Sequence, residues 1–555
     1  MSVSKALVEA KKLHKNKNLN NALKIYNSIL GKTPNNIKAK RGILQIYEGL
    51  DPSSSYSTSS NTQFKLLSKL LTENKFSDAL LYGRILTELN SKDPRIYNIL
   101  GATKAKLGLM KEAIVFFKKA IKISPSYHEV HNNIAIVLKN LSQHTDAIRH
   151  FDQAIKLMPN YASAYYNLGS LYEKLNKRVE LANLINKANN NLSVKDPIIT
   201  LFQAYLQSSK NNTKNCLKLL LEINPKVLPN NFQIDFYSLS GKTYDKLGDY
   251  SKAFENFNRQ NLVTESINSG KLKNAKIFLE ETKTLKKAWE ILKVKPETIP
   301  NQVHGSNLVF LVGFPRTGTT LLDTILMGHP QITILEEQPM ATIMAKSFDG
   351  LGTPDDYINL SETNIRMLRE TYLDALNEQL NNISRGQVIV DKHPLNTRYL
   401  PLLEKVFPRA KFIIALRHPC DCVLSCFMQN FEFNRGTGNF LTLEDAANLY
   451  TATMGLWVAI EKRLPLDYRT VRYEDFIDDI EGISKSLINF LNLPWVEGIL
   501  DHTVTAKSRT HISTASYNQV TEQIYKTAKG RWINYEEQLS GVMSKLSPFI
   551  KKFGY

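Results

Sequence analysis

Only four cysteines occur in 555 residues: Cys216, Cys420, Cys422 and Cys426. So few exclude a disulfide-held scaffold and point to a reducing compartment. No apolar run approaches the ~20 residues needed to cross a bilayer; the best candidates are NLVFLVGF (307–314) and KFIIAL (411–416). The opening MSVSKALVEAKKLHKNKN lacks the apolar core of a secretory leader. A cytoplasmic chain with no membrane span is therefore expected. Acidic charge is short in the first part alone. Residues 1–300 hold 24 Asp and Glu against 46 Lys and Arg, whereas residues 301–555 hold 28 against 25. The remaining composition, 43% hydrophobic and 22% charged, is that of a folded chain and excludes wholesale disorder. At roughly 150 residues per domain, the length implies two to four domains.

The basic part repeats itself. Tyr97, Leu100, Gly101, Ala113, Phe117, Ala120 and Pro125 form one unit, and Ala147, Phe151, Ala154 and Pro159 recur 34 positions later. Tyr165, Leu168, Gly169 and Tyr172 open a third unit. Tyr237, Gly241, Tyr244, Ala253 and Phe257 keep the same offsets, and Ala22, Tyr26 and Pro34 fit a first unit. Small residues let two antiparallel helices approach, aromatics fill the space between pairs, and proline closes the second helix. The pattern resembles the tetratricopeptide repeat, an all-α solenoid, over residues 1–265, with degenerate units at 60–93 and 175–230. Its residues are packing residues. A polar loop, DPSSSYSTSSNTQ (51–63), interrupts it, and residues 266–300 read as a helical linker. Such repeats imply a protein or peptide partner. Their basic charge also suits an anionic partner, with no specific nucleic acid expected.

Residues 301–555 read as a separate α/β domain with a parallel sheet. NLVFLVGFPRTGTTLLDTILMGHP (307–330) is a buried strand, a glycine-rich turn and a helix. In the loop from Pro315 to Thr320, backbone amides of Arg316, Thr317, Gly318, Thr319 and Thr320 and the following helix start would converge on an anion, Pro315 lending only its fixed backbone. A nucleoside-triphosphate loop carries Lys after its second glycine; here that position is Thr319, and the cation is Arg316. A second strand and helix, RAKFIIALRHPCDCVLSCFMQ (409–429), places Arg417 at a strand end and Ser425 in the next helix, a second grip for a phosphate. Two grips on one sheet imply a nucleotide phosphorylated at both ends.

This pair resembles the sulfotransferases that use 3′-phosphoadenosine 5′-phosphosulfate (PAPS), and among them the tyrosylprotein sulfotransferases. The resemblance implies that the 313–320 loop holds the 5′-phosphosulfate and that Arg417 and Ser425 hold the 3′-phosphate. It implies a base at Glu337, the second acid of HPQITILEEQP (329–339), and a catalytic lysine at Lys392 of DKHP. It further implies adenine stacking on Tyr473 of VRYEDF, with late closure by Ser516 of SYNQV and Arg531 of GRW. In the family a lysine stands at that last position. The arginines that follow the acid pair in tyrosine-sulfating enzymes are replaced here by Pro339 and Met340, so the hydroxyl acceptor stays open between protein tyrosine, glycan and other molecules.

In-line sulfuryl transfer builds charge on the bridging oxygen of the leaving nucleotide. Arg316 and Lys392 would stabilise it, Glu337 would take the acceptor proton, and fixed charge suffices without a metal. His393 is an alternative base. His329 and His418 read as structural, the three clustered cysteines as packing residues, and Tyr450, Trp457 and residues 433–440 as candidates for the acceptor cleft. Two other readings stand: a P-loop kinase-like phosphotransferase, or a repeat scaffold with an inactive transferase domain.

Overall fold

The computed structural model describes residues 2–53, 59–89, 92–192, 195–292, 307–348, 352–380, 387–501 and 529–555. The chain divides into two compact units, Met1–Leu206 and Gln207–Tyr555. None of the helices among the described residues is long and apolar enough to cross a membrane.

The first unit consists of antiparallel helix pairs, among them Pro94–Lys106 with Met110–Ile123, His128–Asn140 with His144–Leu157, and Ala162–Lys174 with Arg178–Asn191. The repeating small and aromatic residues are its core: Ala113, Phe117, Ala120, Ala147, Phe151, Ala154, Tyr165 and Leu168 are all buried. Gly101 shows why the small residue is required, since a Cβ there would lie 2.5 Å from the Phe117 ring. The stretch 60–93, weak in the repeat pattern, still forms a pair, Ser60–Thr72 and Phe76–Glu88. Each turn inside a pair carries one residue in the left-handed region. These are Lys17, at φ 58° between Val3–Lys15 and Leu19–Lys32, and then Asn74, Gly108, Ser142 and Asn176, at φ 57°, 79°, 60° and 53° and one repeat apart. Side-chain amides tie the first helices of successive pairs together: Asn133 donates to Asn98 (2.9 Å) and Asn167 to Asn132 (3.0 Å).

The second unit begins with further helices of the same kind, Asn230–Lys246 and Tyr250–Ile267, followed by Leu272–Ile291. They pack against the helices Pro419–Met428 and Leu443–Glu461 of a domain built on a five-stranded parallel sheet: β1 (Leu308–Gly313), β2 (Ile332–Glu336), β3 (Val388–Lys392), β4 (Lys411–Leu416) and β5 (Asp467–Arg472), in the order β2-β3-β1-β4-β5. Central β1 is buried along its whole length, and its alternating side chains serve two cores. Leu308, Phe310 and Val312 join the larger core, and Val309 and Leu311 the smaller one on the opposite face. The chain leaves β1 toward one side of the sheet to reach β2 and later crosses to the other side for β4 and β5. A crevice therefore opens beyond the carboxyl ends of the central strands, where α/β sheets hold their ligands.

The repeat helices of this unit are part of its core. Phe254 stacks on Phe427 at 4.9 Å, and Asn261 donates to the Phe427 carbonyl at 2.9 Å. Asp245 accepts from the Tyr535 hydroxyl at 2.6 Å, and Trp289 Nε1 donates to the Gly352 carbonyl at 3.0 Å. Glu281 pairs with Arg398 and Arg435 at 2.9 and 2.8 Å.

Candidate active site

The turn after β1 is held from below by Thr397, whose hydroxyl donates to the Gly313 carbonyl (2.8 Å) and accepts from the Gly313 amide (3.0 Å). Phe314 then plunges into the core against Tyr450, ring centroids 5.0 Å apart. The next residues are therefore free to arch outward. Arg316 takes a left-handed backbone, φ 71°, and Gly318 another, φ 87°, as it caps the helix Thr319–Met327. Gly318 is also where the Tyr473 ring lies closest, in the space a Cβ would occupy. Thr317 folds its hydroxyl back onto the Phe314 carbonyl at 2.8 Å, and Thr319 and Thr320 are buried.

The second grip meets the first directly. Arg316 Nε donates to Ser425 Oγ at 2.9 Å, and Arg417 Nη1 donates to the Arg316 carbonyl at 3.1 Å. Arg417 is buried, with its guanidinium over the Tyr473 ring at 4.9 Å and 3.9 Å from Asp421. Arg316, Arg417, Ser425, Gly318 and Tyr473 thus form one contiguous patch. Asp421 does more than face Arg417: its two oxygens accept the backbone amides of Gly530 and Trp532, each at 2.9 Å. Trp532 in turn stacks on His418, rings 4.8 Å apart and 7° from parallel. The late segment is thereby tied to the Arg417 turn. Arg531, within it, points its guanidinium to Asp245 at 2.8 Å. Ser516 lies outside the described residues.

Lys392 ends β3, in register with Leu311 of β1 and Glu336 of β2. Its side chain is completely buried, and its ammonium stands among three carboxylates: Glu337 at 3.0 Å, Glu336 at 3.4 Å and Asp323 at 3.5 Å. Burial pulls this ammonium down, but Asp323, Glu337 and Glu336 together outweigh it, and its pKa rises above the ordinary lysine value. The centre is a fixed positive charge enclosed by negative ones. Glu337 itself has a left-handed backbone, φ 52°, with its amide donating to the Lys392 carbonyl at 2.8 Å, and its side chain is 40% exposed. It is the one acid of the three with access to solvent on that scale. His393 is displaced from this exposure: burial lowers its pKa, and its Nδ1 has no hydrogen-bond partner among the described residues.

On the other face of β3, Asp391 accepts from the Tyr372 hydroxyl at 2.8 Å. Complete burial raises its pKa to about 7. Two of the residues considered for the acceptor cleft are elsewhere. Tyr450 and Trp457 are each 1% exposed and belong to the larger core, because the helix Leu443–Glu461 turns them inward. All four cysteines are free and buried. His329 bridges the Pro494 carbonyl (2.9 Å) and the Gln331 amide (3.1 Å), a structural use of both ring nitrogens.

Sequence reading missed Asp323, Asp421 and Thr397. Asp323 had a signal: one acid inside the apolar stretch LLDTIL, a helical turn beyond Thr319, demands a buried cation. Nothing local marks Thr397 or Asp421.

Residues 309–497 match the model of the sulfotransferase family, and residues 94–127 and 140–176 match models of the tetratricopeptide repeat and the TPR repeat. An uncharacterized protein of Aquifex aeolicus (strain VF5) is 26% identical over 373 residues, 64% of this chain and 47% of that one. The chain therefore spans about half the length of that relative. The protein-tyrosine sulfotransferase 1 of Danio rerio is 25% identical over 266 residues, 45% of this chain and 72% of that one. Among solved structures, the sulfotransferase domain of the Synechococcus PCC 7002 olefin synthase covers 47% of this chain and 99% of its own, at 18% identity and a TM-score of 0.31. The match over 309–497 takes in the loop at 313–320, the Lys392 centre and the Arg417–Ser425 grip, so that a domain of the sulfotransferase family stands in this chain behind tetratricopeptide repeats.

Proposed function

We propose that the chain is a PAPS-dependent sulfotransferase that moves the sulfuryl group to a hydroxyl acceptor, with its repeats as the docking arm for a protein or peptide. The observation that carries this reading is the direct contact between the two anion grips, Arg316 to Ser425 and Arg417 to Arg316. A single doubly phosphorylated nucleoside spans such a patch, its 5′ end at the loop and helix start of 313–320 and its 3′-phosphate at Arg417 and Ser425. The donor set fits that ligand: two guanidiniums, threonine and serine hydroxyls, and a Tyr473 ring for the base. Arg316, now on Ser425, would turn to the phosphosulfate when the nucleotide arrives. Arg531 would have to leave Asp245 to reach it, and closure by Ser516 and Arg531 is proposed on the family resemblance alone.

In the reaction, the acceptor hydroxyl gives its proton to Glu337 as its oxygen attacks sulfur. The bond from sulfur to the bridging oxygen breaks, and the electron pair stays on the nucleotide as 3′-phosphoadenosine 5′-phosphate (PAP). Lys392 and Arg316 face the charge developing on that oxygen. Removal of one such preorganised donor typically costs about 3 kcal/mol of barrier. The four buried thiols suit work in the cytoplasm.

Calorimetric titration tests the donor: PAP should bind and ATP with magnesium should not compete at similar concentration. Arg417→Ala and Ser425→Ala should erase the preference for PAP over adenosine 5′-phosphate. An unchanged preference in both variants would remove the assignment of the 3′-phosphate site. Transfer of radiolabelled sulfate from PAPS into fractionated cell extract then identifies the acceptor class.

A further inference from the structure

Lys392 has more carboxylates than a catalytic lysine needs. Glu337, the proposed base, is partly exposed, and Glu336 ends β2. Asp323 comes from a third element, the helix that starts at the anion loop, and it is wholly buried, as is the lysine it faces at 3.5 Å. Its position is rigid. Thr324 donates to the Thr320 carbonyl at 2.6 Å and lies 3.3 Å from Asp323 Oδ1, so one helical turn links the carboxylate to the Thr320 backbone at the start of the helix.

The ammonium donates to Glu337 at 3.0 Å and to Glu336 at 3.4 Å, while Asp323 faces it at 3.5 Å as an ionic partner without a hydrogen bond. When Glu337 turns to an acceptor hydroxyl, the lysine loses its shortest partner. From this geometry we infer that Asp323 is a positioning residue: it anchors the Lys392 ammonium to the helix of the donor loop, so that the lysine keeps its place beside the reacting oxygen while Glu337 leaves it to take a proton. Without Asp323, Lys392 would follow Glu337, and the cation and the base would move as a pair. This inference rests on the sulfuryl-transfer reading of the same site.

A double-mutant cycle on the full chain tests it, with PAPS as donor, a tyrosine-containing peptide as acceptor and PAP binding measured beside turnover. Asp323→Asn should lower kcat by about 10- to 100-fold, the cost of misplacing a reacting group by about 1 Å. PAP affinity and the KM for PAPS should stay within about threefold of the parent, which a merely structural defect at the loop helix would not allow. In a Lys392→Met background the same substitution should do nothing further, because its effect passes through the lysine. A further loss of tenfold or more in the double variant overturns the inference, as does a parallel fall of PAP affinity and kcat in Asp323→Asn alone. Should Asp323→Asn fold poorly because Lys392 loses a buried partner, the double variant, which leaves no such charge, carries the comparison by itself. Turnover by the parent protein keeps the two levels apart. A parent that binds PAP yet transfers no sulfate from PAPS to any acceptor or to water defeats the sulfuryl-transfer reading, and this inference with it. A turning-over parent with additive variants defeats only the role of Asp323.

Discussion

At the scale of single residues, two neighbours on β3 have opposite fates because a strand sends them to opposite faces. Lys392 enters the crevice among acids, and Asp391 enters the core with one phenol for company. Glu337→Gln keeps the size of the side chain and its reach to Lys392 but removes the proton acceptor. Turnover should fall by about 10²- to 10⁴-fold, the usual share of a general base, with PAP affinity nearly unchanged in calorimetry. Retained turnover would transfer the role to another group, His393 first. Asp391 yields a stability prediction. Its carboxyl holds its proton to about pH 7 in the fold but releases it near its ordinary value of 3.8 once unfolded. The folded state therefore binds more protons in that window, and the parent loses stability as pH rises from about 4 to 7. Asp391→Asn cannot titrate. Its unfolding free energy, relative to the parent, should climb by up to the order of 4 kcal/mol between those limits. Urea melts of both proteins at pH 5 and pH 8 check the sign, and parallel behaviour at both would contradict it.

At the scale of elements, the repeat turn shows how much the sequence conveys and where it falls silent. Gly108 announces a left-handed turn, but Asn74, Ser142 and Asn176 occupy the equivalent backbone with ordinary side chains. A left-handed non-glycine residue costs about 1–2 kcal/mol, and glycine returns about 0.5–1 of that in chain entropy. Ser142→Gly should thus stabilise the first unit by about 0.5–1 kcal/mol in chemical denaturation, whereas Gly108→Ser should lose a similar amount. The periodic Ala, Gly and Phe residues were legible because each must contact its own neighbour in the repeat, a local rule. So was the turn at 313–320, since strand, glycines and helix follow one another in sequence. What could not be read is set by residues distant in the chain. Thr397 pins Gly313 from 84 residues away, and Asp421 collects Gly530 and Trp532 from 109 and 111 away. Tyr450 and Trp457 were misplaced for the same reason: an aromatic near a site reads alike whether its helix turns it outward or in.

At the scale of the whole molecule, the matched segment 309–497 is smaller than the unit that folds around it. The second compact unit begins at Gln207, and its core takes in Phe257, Phe278, Leu285 and Trp289 from helices that precede the sheet. Asp245 reaches Arg531 across 286 residues, a contact no motif records. Fully exposing one large apolar side chain costs about 1.5–3 kcal/mol. Losing these four would cost on the order of 6–12 kcal/mol, which is as much as the entire stability of an ordinary domain. A fragment of residues 207–555 should therefore elute as a defined species, melt cooperatively and bind PAP as the full chain does. A fragment starting at residue 301, which keeps every proposed catalytic group, should aggregate or melt without a cooperative transition. The comparison separates two roles for the later repeats. If the shorter fragment proved as stable and as competent for PAP as the longer one, those helices would be a detachable docking arm. If it fails, they are the wall on which the crevice is built, and docking is left to the helices before Leu206.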